Sequence, residues 1–136
     1  MSAIWSLNVA LGGALNGDDL LKDFTQKPDG PAFFDGQTPI GIVIPYIRIG
    51  ESTESRWGTF NTPGHTGVER IHLWGSDKGS VAQMYGHVER ILHLKKIDVE
   101  GHRILLGTTR MMDSFRDPGG NWHGIVAYEV ITRPGA

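Results

Sequence analysis

The chain contains no cysteine in its 136 residues. Disulfides, thiolate nucleophiles and cysteine metal ligands are thereby excluded, and the fold rests on packing alone. It has no apolar run near the ~18 residues of a membrane helix. Its opening, MSAIWSLNVALGG, lacks the basic stretch that begins a secretory signal, so the protein is expected to be made in the cytoplasm, with no membrane partner. An excess of charge is missing too: 13 Lys and Arg stand against 15 Asp and Glu, for a net charge of -2. Without a basic domain or stripe, nucleic-acid recognition as the main task is disfavoured.

What is present is turn chemistry. With 19 Gly and 7 Pro, the chain is rich in turns and irregular segments. Its length suits one domain with one core, so residues 1–136 are taken as a single domain. Ile4, Leu7, Leu11, Ala14 and Leu15 recur at helical spacing, and Gly17 is expected to end that helix. Asp18 is placed to cap a short continuation carrying Leu20, Leu21 and Phe24. Residues 27–43, dense in Pro and Gly, read as a loop with a short strand at 32–34.

From Tyr46 a strand is expected to run to about Thr53, and GVERIHLW, residues 67–74, makes a second. The intervening RWGTFNTPGHT reads as a loop. Helical period returns in SDKGSVAQMYGHVERILHLKK, with Val81, Met84, Val88, Ile91 and Leu92 on one face. Ser80 with Gln83 fits a capping box, and Lys95 with Lys96 suits the negative end of the helix dipole. Two long strands, 101–117 and 122–133, flank DPGGN, whose Pro-Gly-Gly centre predicts a turn and so an antiparallel hairpin. Gly107 is a candidate bulge within it. The order of elements implies an α+β fold: a mainly antiparallel β-sheet with helices packed on one face and a long C-terminal β-hairpin.

Candidates for chemistry are thin. The six histidines, 65, 72, 87, 93, 102 and 123, form neither HxH nor HExxH, and His87 and His93 fall on different helix faces. The carboxylate pairs Glu51 with Glu54 and Asp113 with Asp117 are as well explained by solvated strands and turn caps as by acid–base work. Ser52, Ser55 and Ser114 have no nucleophile-elbow context. A small α+β enzyme would have to gather His72 and His123 with Asp113 in one pocket. The aromatics say more: Trp57, Phe60 and Trp122 lie in or beside expected loops and Trp74 at a strand end, as core anchors or as contacts for a partner.

PYIRIGESTESRWGTFNTPGHTGVERIHLW, then a helix, then VEGHRILLGTTRMMDSFRDPGGNWHGIVAYEVITR, resembles the tail completion, or tail terminator, proteins of long-tailed bacteriophages and gene transfer agents. The resemblance runs from about Phe33 to Arg133. It implies a structural virion protein without enzymatic activity, cofactor or metal. Copies would form a ring, usually of six, that sits on the tail tube protein, stops tail polymerisation and docks a neck or head-completion protein. DNA would pass through the channel without specific binding. The protein would reside at the head–tail junction of the virion after assembly in the host cytoplasm. A neck or head-completion adaptor is the nearest alternative; a small enzyme or a binding module lies further off. Candidate interface residues are Glu51, Glu54, Arg56, Trp57, Phe60, Arg116, Trp122 and His123, with residues 51–57 expected to extend the sheet toward neighbouring copies.

Overall fold

The computed structural model describes residues 4–26, 33–35, 44–59 and 62–135. Its elements are α1 (Ile4–Asn16), α2 (Asp19–Thr25), β1 (Phe33–Asp35), β2 (Tyr46–Thr59), β3 (Thr62–Gly75), α3 (Lys78–Leu92), β4 (His102–Arg116) and β5 (Trp122–Pro134). The strands form one sheet in the order β1-β2-β3-β5-β4. Every pairing is antiparallel except that of the short β1, which runs parallel to β2. The expected α+β fold is what the chain adopts.

Alternation along the strands decides which face holds the core. Ile47, Ile49, Ile71, Leu73, Val126, Tyr128, Val130 and Ile104 are buried, and all join one cluster with Leu7, Leu11 and Leu15 of α1 and Val81, Met84, Val88 and Leu92 of α3. The helices therefore cover one face of the sheet, while no described helix lies on the other. Asp18 caps α2 as expected, accepting the Leu21 N–H at 2.9 Å. Its carboxylate also takes two guanidinium contacts from Arg90, at 2.9 and 2.7 Å, which tie α2 to α3.

Several expectations are corrected. Most of RWGTFNTPGHT is strand rather than loop: β2 runs on to Thr59 and β3 starts at Thr62, residues 60 and 61 lying outside the described residues. Pro63 and the glycines at 58 and 64 disguise those strands in the sequence, but their partners pair them in register, Gly58 with Pro63 and Trp57 with Gly64. The cap of α3 is Asp77 rather than Ser80. Asp77 is extended, and its carboxylate accepts the Ser80 N–H at 2.7 Å. The helix ends at Leu92, which leaves Lys95 and Lys96 beyond it and Arg90 as the base in the last turn. Leu20 is carried on α2 as expected and lies exposed.

Gly107 is not a bulge. It pairs directly with Val130, and the extra residues fall instead at Leu105 and Met112, where the register with β5 shifts. The short strand expected at 32–34 is found at Phe33–Asp35, and most of the 27–43 loop lies outside the described residues. The DPGGN turn forms as expected. Gly120 takes φ of 91°, a conformation open to glycine, and the Asn121 and Gly120 N–H groups both bond back to Asp117.

Candidate functional site

The face of the sheet opposite the helices carries a row of rings across four strands. Register places Tyr46, Trp74, His123 and Phe115 side by side on β2, β3, β5 and β4. Tyr46 stacks on Trp74 at 6.1 Å, Trp74 on His123 at 3.8 Å with 15° between planes, and Phe115 tilts against His123 at 5.1 Å. This ladder takes the place of a helix layer: His123 and His72 are buried on a face that no described helix covers.

A polar chain leads into the row from solvent. Gly50 and Glu51 together stand opposite Arg70, a bulge that shifts the alternation of β2 and turns Glu51 to the open face. Its carboxylate lies 3.2 Å from Nε2 of His72, whose Nδ1 lies 2.6 Å from Nε2 of His123. Glu51 is held below the usual carboxylate range by its own backbone N–H and then by His72. Burial, followed by the charge of His72, pushes His123 down to about 4, against an opposing pull from Asp117. A hydrogen bond between two imidazoles requires one neutral ring to supply the accepting nitrogen, and both ring nitrogens of His72 are engaged.

The same bulge sets up a second network on the core side. Ser52 and Glu69 are cross-strand partners, and the Ser52 hydroxyl donates to the buried Glu69 carboxylate. The Asn8 amide, with its NH2 turned inward from α1, donates to the same carboxylate at 3.2 and 3.3 Å. Sequence reasoning missed Glu69: alternation alone puts it on the face of Ile71 and Leu73, but the bulge in β2 that brings Ser52 to it, and the approach of Asn8 from α1, leave no mark in the sequence.

The candidate interface residues fall into three groups. Glu51 is exposed on the open face; Glu54 is half-buried, beside Gly67 on the other side of the sheet. Arg116 is exposed at the end of β4 opposite Trp122, which packs against the core, while His123 lies beneath Trp74. Arg56 and Trp57 belong to β2, opposite His65 and Gly64, but their side chains fall outside what the structure describes, as does Phe60 altogether. His72 and His123 do meet, joined by Glu51 rather than by Asp113, whose carboxylate accepts the Ser114 N–H. His93 is satisfied structurally, its Nδ1 accepting the Thr109 N–H at 3.0 Å. Among the described residues, no group of three or more His, Asp or Glu is placed to hold a metal ion.

Comparison with known proteins decides the family. A sequence profile for tail completion protein gp17 matches residues 9–133, all but the ends of the chain. The chain belongs to the tail completion protein gp17 family. It is a structural component of a virion tail. Among solved structures, a chain from the virion of a native gene transfer agent particle superposes with a TM-score of 0.83 at 14% identity, covering 98% of each chain. At that identity the likeness is one of fold, and it extends across nearly the whole of both chains. No curated protein matches significantly.

Proposed function

We propose that this tail completion protein forms a closed ring, of six copies, on the last ring of the tail tube, ends tube polymerisation there, and presents its opposite axial face to the neck or head-completion protein. DNA then passes through the ring without specific binding. The observation that carries this reading is a subunit with unfinished surfaces. A family match from residue 9 to 133 accompanies a sheet with one face uncovered by helix and a first helix with no charged residue, in which Trp5 is 70% exposed. A helix without charge that leaves Trp5 and Val9 exposed is ordinarily covered, and in a chain of this family its cover would come from assembly.

Removing the chain from an otherwise intact particle-producing cell tests the reading. Headless tails of uncontrolled length are expected. Headless tails of normal length would move the protein to the neck, and complete particles would refute both placements.

A further inference from the structure

The strand register places Arg103 directly opposite Arg133, both exposed on the open face of the sheet. Like charges directly opposite in a sheet repel, and among the described residues neither arginine has a carboxylate partner. Beside them on the same face lie Leu106, 46% exposed, and its partner Ile131. The result is a small apolar patch rimmed by two unpaired positive charges.

Behind this patch, on the helix face, is its complement. Leu7, Leu11 and Leu15 take α1 into the core and leave Trp5 and Val9, 57% exposed, on its outer side. Trp5 and Val9 share a shallow groove with Asp98 and Glu100, both exposed on either side of Val99, which points into the core. This is an apolar patch rimmed by two negative charges. Both patches lie at one end of the molecule, because the Val99–His102 bridge leads from Asp98 and Glu100 directly into Arg103.

We infer that the two patches meet between copies: Trp5 and Val9 of one copy seat on Leu106 and Ile131 of the next, with Asp98 and Glu100 facing the next copy's Arg103 and Arg133. The contact is head-to-tail, since the patches differ and lie on opposite faces. It closes into a ring only when successive copies are related by rotation without translation. Patches at one level along the strands remove translation along an axis parallel to the strands, and the angle between the two faces then sets the number of copies. The inference rests on the ring reading above and supplies its lateral contact. Opposite charge at the rim sets register and direction, and the buried Trp5 supplies the anchor.

The absence of cysteine makes a background-free test possible. Val9→Cys and Leu106→Cys are introduced together and singly into the full chain. Under mild oxidation they are compared in assembled virions and in the purified protein at concentrations where the unmodified chain associates. The double variant is expected to give a ladder of covalent multimers, and each single variant almost none. In parallel, Asp98→Lys with Glu100→Lys is expected to weaken self-association at least about tenfold, as is Arg103→Glu with Arg133→Glu. A chain carrying all four changes is expected to recover it. Efficient dimers from either single variant would mean like-to-like contact and overturn the inference. A double variant that stays uncrosslinked while native mass spectrometry shows closed rings would place the contact elsewhere, overturning the inference but sparing the ring. Absence of multimers from virions and solution alike would remove the ring itself.

Discussion

His72 Nδ1 and His123 Nε2 lie 2.6 Å apart on the face of the sheet that carries no helix, with Glu51 on the outer nitrogen of His72 and Trp74 stacked over His123. The two strands that supply these histidines are neighbours in the sheet but far apart in sequence, and this contact joins their side chains beside the ring ladder. The proton it shares makes that contact sensitive to pH.

The sign follows from the depressed value of His123. Its neutral form is favoured by folding, so the full contribution is present above the ordinary histidine value of 6.5 and is lost as pH falls toward about 4. The groups facing it are His72, Asp117, Arg48 and Glu51. The melting temperature is expected to drop between pH 6.5 and 5, before most carboxylates titrate, and to drop less in His123→Phe, which keeps a ring under Trp74. Equal slopes for the two proteins in that window would contradict this.

Gly107 and Tyr128 make a packing prediction. A Cβ on Gly107 would lie 3.0 Å from the Tyr128 hydroxyl and 3.2 Å from its ring, and that hydroxyl is buried without a hydrogen-bond partner among the described residues. Gly107→Ala is expected to destabilise by about 1–3 kcal/mol. Tyr128→Phe should change stability by less than about 1 kcal/mol, since it removes a desolvated group that bonds nothing in the described structure. Combined, they should couple favourably by at least about 0.5 kcal/mol in urea unfolding; strict additivity would show that the close approach is relieved elsewhere.

Much of this fold is legible in the sequence where local pattern and tertiary pairing agree. The C-terminal hairpin reads to within a residue or two because DPGGN forces the turn and both arms are long, and α3 reads by its Val81, Met84, Val88, Leu92 stripe. The upper arms of β2 and β3 do not, because Gly58, Pro63 and Gly64 are turn formers that only cross-strand pairing holds extended. The bulge at Gly50 and Glu51 is equally silent, yet it decides that Glu51 meets His72 and Ser52 meets Glu69. The Arg103–Arg133 pair needs the register of β4 on β5, which two bulges shift. By contrast, the unpartnered side of α1 had a signal: IWSLNVALGGALN contains no charge with which to face water.

Glu69 joins three elements through neutral donors, Ser52 on β2 and Asn8 on α1. Glu69→Ala leaves those donors without their acceptor and opens a void, and is expected to cost about 2–3 kcal/mol. Glu69→Gln, which keeps one acceptor and the volume, should cost about half as much. Denaturant unfolding measures both; an Ala variant within about 0.5 kcal/mol of the parent would remove this network from the account.

The central claim is tested most directly by locating the chain in the particle. Purified virions labelled with gold-tagged antibody against this protein and imaged by electron microscopy should carry a single band at the head–tail junction, and free tails should carry it at one end. Label distributed along the tube, or confined to the distal tip, would contradict the account.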